Sequence, residues 1–164
     1  MVRIGVSGHL NITEPTAVKV YDAVRALLAQ HDPNEVVGVS CLARGADSVF
    51  ARAVLDVGGR LEVVLPSRNY RAVKVKPDHA AEFDALVERA ARVRVMDFDD
   101  AGRDAYEAAN EAVLGSVDRL VAVWDGAAGQ SGGTASVVES ARARGLPVDV
   151  IWPAGAARAA GKKQ

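Results

Sequence analysis

Cysteine occurs once in the 164 residues, at Cys41, so the chain can close no internal disulfide. Neither sign of charge dominates: 20 Lys and Arg stand against 21 Asp and Glu, a formal net charge of -1. With a pI near 6.3 there is no basic footprint of the kind that binds nucleic acid broadly, so no nucleic-acid partner is expected. No apolar run reaches the length of a membrane span, so no membrane partner is expected either, and no segment repeats. Met1 leads almost at once into a strand-like run, which leaves no room for a signal peptide and points to a cytoplasmic protein.

What is present is alternation. Short apolar runs predict strands over 2–7, 36–40, 61–65, 93–96, 120–124 and 148–152. Between them lie helical patterns: from a Thr13 cap to about Gln30, over 47–57, from Pro77 to about Ala90, from the acidic segment 97–100 to about Gly115, and over 133–144. The polar, basic segment 67–76 reads as a loop over the sheet. Residues 154–164, rich in Ala, Gly and Lys, read as a flexible tail behind a single domain over 1–153. Strands that alternate with helices imply crossover units, hence an α/β fold of three layers around a mainly parallel sheet of about six strands, the first of them central.

Three glycine-bearing loops follow strand runs: Ser7-Gly8-His9, Cys41-Leu-Ala-Arg-Gly-Ala-Asp47, and the stretch from Asp125 through Gly126, Gly129, Gly132 and Gly133 to Thr134. Glycine lets backbone N–H groups approach a ligand closely, and a helix start adds unpaired donors and partial positive charge. In open parallel sheets such loops share one crevice beyond the carboxyl ends of the strands. A phosphate-bearing small molecule is the ligand this chemistry suits, and no particular cofactor is named by it.

Each candidate has a plainer alternative. Gly132-Gly133-Thr134 could hold phosphate, or form a tight turn with Thr134 as a cap. Arg44 could make a charge-assisted contact to an anion, or pair with Asp47, itself a helix-cap candidate. His9 could act as base or donor, or be structural. Cys41 reads most simply as a small buried side chain. Arg103, Tyr106 and Asn110, at i, i+3 and i+7 of one helix face, could meet a base or ribose, or Tyr106 could pack in the core. Asp97, Asp99 and Asp100 lack a metal-ligand spacing and read as a solvated loop, so no metal is expected.

Taken in order, Gly5-Val-Ser-Gly-His9, Leu42-Ala-Arg-Gly-Ala-Asp47, Leu65-Pro66 with Tyr70, Ala105-Tyr-Glu107, and Val123-Trp-Asp-Gly126 with Gly132-Gly-Thr134 resemble the SLOG superfamily. These are Rossmann-like nucleotide-binding proteins that include the Lonely Guy phosphoribohydrolases and the domain of the DNA-processing protein DprA. The likeness is to a stand-alone bacterial branch and covers nearly the whole chain except the tail. It implies that Gly8, Arg44, Gly45, Gly132, Gly133 and Thr134 line a nucleotide-type site, and it implies a homodimer. Leu10 departs from the pattern, since relatives often carry Arg there.

Three functions follow as expectations: binding or sensing of a nucleotide or nucleotide-derived ligand, hydrolysis of a nucleotide N-glycosidic bond, or carriage of a phosphorylated cofactor such as a pterin. Glycosidic cleavage needs a carboxylate aimed at the anomeric centre. In the hydrolases Glu follows the Gly-Thr pair by two or three residues. Here those positions are Ser136 and Val137, and Glu139 is two steps further, about 200° round the helix. Binding therefore ranks above hydrolysis, and hydrolysis above carriage.

Overall fold

The computed structural model describes residues 1–128 and 133–159. Six strands form one sheet: β1 (Val2–Gly8), β2 (Val36–Ser40), β3 (Arg60–Leu65), β4 (Arg92–Val95), β5 (Arg119–Val123) and β6 (Val148–Ile151). Their order is β4-β3-β2-β1-β5-β6, and every neighbouring pair is parallel. The helices are α1 (Glu14–Leu28), α2 (Ala46–Asp56), α3 (Tyr70–Lys74), α4 (Pro77–Arg89), α5 (Arg103–Leu114) and α6 (Thr134–Ala143). The expected three-layer parallel fold with a central first strand is the fold observed.

The strand residues explain their places. All five residues of β2 are buried, because strands flank it and helices cover both its faces, and a continuous Val-rich run suits that position. Edge strand β4 is exposed along its length and alternates Arg92-Val93-Arg94-Val95, which places charge on an open edge. On one face α1 and α2 pack Val20, Val24, Phe50 and Val54 against Ile4, Val6 and Val121. On the other, Ala109 and Val113 of α5 meet Val37, Val39 and Val64, while Val137 and Ala141 of α6 meet Leu120. Phe50 is wholly buried, a burial that contributes about 1.5–3 kcal/mol. Thr13 caps α1 as expected, its side chain accepting from the Thr16 N–H at 3.3 Å.

Two segments differ from their sequence reading. The stretch 67–76 holds the short helix α3, because Tyr70 anchors it in the core against Phe83 while Arg71 and Lys74 reach outward. Residues 154–159 are bonded rather than free: the Thr13 N–H donates to Ala157 O (3.2 Å), the Ala159 N–H to Asn11 O (2.6 Å), and the Ala157 N–H to Thr16 Oγ1 (2.8 Å). Composition conceals this docking, since backbone groups make most of it.

The chain builds outward from β1 to β2, β3 and β4, and then crosses back to place β5 on the other side of β1. The direction of winding thus reverses between β1 and β5, and crevices form at such a switch point. Gly8 lies level with Val123 there, so both strands end at the same height.

Candidate functional site

The loop after β1 is pinned from two sides. The His9 N–H donates to Val123 O (3.1 Å), and the His9 carbonyl accepts the Ala46 N–H (3.2 Å), which occupies one of the free donors at the start of α2. A Cβ on Gly8 would stand 2.4 Å from the Ala46 Cβ and 2.8 Å from that of Val123. Gly45 has φ +78°, and a Cβ there would stand 2.6 Å from Leu10 O. Both glycines are therefore required by the close approach of β1, β5 and α2, whatever else they touch. Ser7 sits opposite Ala122 in the β1–β5 ladder.

After β5 the backbone turns at Asp125. Its carboxylate accepts the Ala127 N–H (3.0 Å), and Gly126 follows with φ +84° and, among the described residues, nothing within 4 Å of where a side chain would stand. The Asp125 N–H donates to His9 Nε2 (3.2 Å), and the Asp125 carboxylate stands 3.2 Å from the same nitrogen. Burial, and then the charge of Arg158, hold the His9 pKa below its usual value against the pull of Asp125. The neutral imidazole also stands edge-on to Trp152, with ring centres 5.6 Å apart. His9 therefore ties the β1 and β5 loops together as a hydrogen-bond acceptor. The bond to Ala127, then the contact with His9 and the charge of Arg158, keep the Asp125 carboxyl below the ordinary range.

Gly133 is the N-cap of α6, in extended conformation, and Thr134 is its buried first residue, so Thr134 is not the cap. Gly129 and Gly132 lie outside the described residues. Val137 is buried while Glu139 is exposed, so the two lie on different faces of α6.

In the loop after β2, Arg44 does not make the ion pair with Asp47 that its sequence position offered. Its guanidinium pairs with Asp78 at the start of α4 instead. Nor does Asp47 cap α2: Gly45 is the N-cap, and the Asp47 carboxyl turns back to the Ala43 amide. Burial pushes its pKa up to about 7. Leu42, wholly buried, holds φ +54°, an uncommon backbone state for a leucine. Three bonds fix this loop: the Leu42 N–H to Ser40 Oγ (3.1 Å), Ser40 Oγ to Asp47 O (3.1 Å), and Ser48 Oγ to Ala43 O (2.8 Å). Cys41 is partly buried, and burial pushes its thiol pKa up, away from thiolate chemistry.

Of the α5 candidates, Tyr106 is half-buried and meets Tyr70 edge-on at 6.2 Å, Asn110 is partly buried, and Arg103 is exposed with Glu107 at 3.1 Å. Arg68 bridges Asp97 (3.0 Å) and Asp99 (2.7 Å), and Asp100 accepts from Asn69 (3.0 Å), so the acidic loop fastens the start of α3. Among the described residues no group of three His, Cys, Asp or Glu is placed to hold a metal. No helix among them is long and apolar enough to cross a membrane.

Sequence reasoning missed Arg158. Its Nε donates to Asn11 Oδ1 (2.8 Å), and its Nη1 stands 3.8 Å from the Asp125 carboxylate. It brings a cation to the loop where Leu10 leaves none, and nothing in an Ala- and Gly-rich tail signals that. An open hollow of about 400 Å³ lies elsewhere, lined by Leu27, His31, Arg119 and Asp149 at the opposite edge of the sheet.

A parallel, doubly covered sheet with its glycine loops at the winding reversal defines a Rossmann-like domain. No protein-family model matches the chain, and no curated protein matches it. Solved structures do. DNA processing protein A from Streptococcus pneumoniae superposes with a TM-score of 0.69 at 21% identity, over 94% of this chain and 52% of that one. The chain thus spans about half the length of that protein. TM1055, a structural-genomics target, gives 0.59 at 17% identity over 90% of this chain and 72% of that one. The molybdenum cofactor carrier protein of Chlamydomonas reinhardtii gives 0.58 at 19% identity over 91% and 75%. The fold shared with these proteins is a Rossmann-like α/β fold.

Proposed function

We propose that the chain binds a nucleotide or nucleotide-derived phosphorylated small molecule at the carboxyl edge of its sheet, as a binding or sensing module. The observation that carries this reading is the convergence of the β1 loop, the β5 loop and the start of α6 on the β1–β5 switch point, with His9 joining the two loops. The backbone N–H groups of Gly133 and Thr134, without an acceptor among the described residues, and the dipole of α6 favour negative charge there. Gly126 leaves the approach open, and Arg44 reaches the ligand from the neighbouring loop by leaving Asp78, an exposed partner whose exchange costs little. The position of Glu139, two residues beyond where the hydrolases carry Glu, supports binding ahead of N-glycosidic hydrolysis. Likeness of fold to a cofactor carrier keeps carriage as the next alternative. We further propose that the chain works as a homodimer in the cytoplasm, which light scattering tests by mass.

Calorimetry with AMP on wild type and two variants tests the site. Gly133→Val, which puts a β-branched side chain where the phosphate must approach, is expected to abolish binding. Arg44→Ala is expected to weaken it by about 1.5–3 kcal/mol, the range for a hydrogen bond to a charged group. Unchanged affinity in Gly133→Val would make the start of α6 a turn and nothing more.

A further inference from the structure

The open edge of the sheet at β4 combines three features that play no part in the phosphate site. First, its backbone has a neighbour on one side only. β3 pairs with β4 in the register Glu62↔Arg92 to Leu65↔Val95, and β4 ends the strand order. A parallel ladder uses alternate residues, and just past it the Met96 N–H donates to Leu65 O (2.9 Å), so Val93 and Val95 turn their own N–H and C=O groups outward. Among the described residues no backbone bond outside that ladder involves residues 92 to 95.

Second, all four residues are exposed, and their side chains sort by face. Val93 and Val95, 41% and 43% exposed, lie level with Val63 and Leu65, on the face packed by Phe83 and Leu86 of α4. Arg92 and Arg94 lie level with Glu62 and Val64 on the other face. Third, that other face holds a small hollow of about 40 Å³ beside β4, room for a small polar group. Arg3, Glu62, Arg92, Arg94, Ala112 and Ser116 are among its lining residues. Arg3 is occupied: its guanidinium grips Glu62 at 2.7 and 3.2 Å, and its Nε donates to Ser116 O at 2.5 Å. Arg92 and Arg94 make no hydrogen bond or ion pair among the described residues. The hollow therefore carries two guanidiniums in excess of its single carboxylate.

We propose that β4 is a docking edge for an extended acidic segment of a partner protein, which adds to the sheet as a further strand with carboxylates over Arg92 and Arg94 and apolar side chains over Val93 and Val95. Main-chain bonds to a free edge supply affinity, and alternate side chains supply selection. Arginines two residues apart on one face match acids two residues apart on the incoming strand. The charge that keeps neutral and basic strands off an open edge is the charge an acidic strand answers. A second copy of this chain lacks that complement. Pairing β4 with another β4 gathers four guanidiniums, and the Glu62 of each copy is already held by its own Arg3. The other end of the sheet, β6, offers Asp149, but Arg119 holds that carboxylate at 2.9 and 3.1 Å. β4 lies three strands from β1, so its occupation leaves the β1–β5 switch point free.

The probe is a capped, fluorescein-labelled heptapeptide in which Glu and Val alternate, followed by anisotropy at physiological salt. Wild type is expected to bind it saturably, and about tenfold or more tightly than the same peptide with Lys for Glu. In the complex the Val93 and Val95 amide protons should exchange about tenfold or more slowly than in the free chain. Arg92→Glu with Arg94→Glu, both on the surface, should keep the melting temperature and reverse the preference to the Lys peptide. Should that variant not fold, Arg92→Gln with Arg94→Gln decides, with loss of the Glu-over-Lys preference expected and an unchanged preference overturning the proposal. No saturable binding at millimolar peptide, equal affinity for the two peptides, or binding that leaves Val93 and Val95 exchange unchanged also overturns it. An oligodeoxynucleotide that binds more tightly than the Glu peptide, and is lost in the variant, would make the edge a nucleic-acid surface instead. A dimer mass that falls to monomer in the variant would give the edge to a second copy, and the proposal would fall.

Discussion

A buried carboxyl that titrates near neutrality makes the stability of this fold depend on pH. Asp47 has a folded pKa of about 7 against 3.8 in solvent, so between those values the folded chain holds a proton that the unfolded chain has released. Its contribution is therefore greatest in acid and is lost as pH rises from about 4 to about 7, by at most about 4 kcal/mol. His9 works in the opposite sense: with its pKa lowered, it adds stability above 6.5 that is lost as pH falls through the folded value. The difference between Asp47→Asn and wild type isolates the first effect. Urea unfolding at pH 5 and pH 8 should show the variant gaining on wild type at the higher pH, and an equal difference at both would contradict a buried acid. Steric demand at Gly45 is of a similar size. Gly45→Ala forces a side chain at φ +78° to 2.6 Å from a carbonyl oxygen, and thermal unfolding should show a loss of about 2–4 kcal/mol. A loss under 1 kcal/mol would mean that the loop gives way. Neither feature is readable one residue at a time. In sequence Asp47 looks like a cap, because nothing in its neighbours along the chain signals that it is buried.

Elements were easier to read than contacts. Strands of Val and Leu bounded by Gly, Pro and Asp, and a Thr13 cap before Pro15, carry their signals locally, and the observed elements fall within a few residues of those signals. Helix α3 escaped because five residues with two cations hold no helical period, and one tyrosine in the core decides their state. Residues 154–159 escaped for a different reason: they dock through backbone groups and through Arg158, whose partners Asn11 and Asp125 are distant in sequence. That docking has an electrostatic consequence. Arg158 lowers the His9 pKa across the β1–β5 junction, so Arg158→Ala should move the His9 NMR titration midpoint upward. A midpoint that does not move would show that the segment leaves the His9–Asp125 loop in solution.

At the scale of the whole molecule, connectivity does what no single motif does. Alternation of strand and helix predicts the parallel sheet, and the right-handed crossover rule then leaves few topologies. The return of the chain across β1 to β5 gathers loops 30 to 120 residues apart at one switch point. The glycine loops could be read as candidates because glycine signals where backbone approaches closely. The structure divides them by cause: Gly8 and Gly45 answer to packing, whereas Gly126 meets no neighbour among the described residues. The loops of the proposed phosphate site were thus visible in sequence, and the burial of Asp47 was not, since a single aspartate carries no spacing signal across elements. The central claim, a phosphate-bearing ligand at the β1–β5 switch point, is tested most directly by following backbone amide NMR signals during titration with AMP. The account predicts that the largest saturable shifts fall on Gly126, Gly133 and Thr134, with His9 and Asp125 moving alongside them. Saturable shifts confined to the opposite edge, around His31 and Arg119, or none at millimolar AMP, would contradict it.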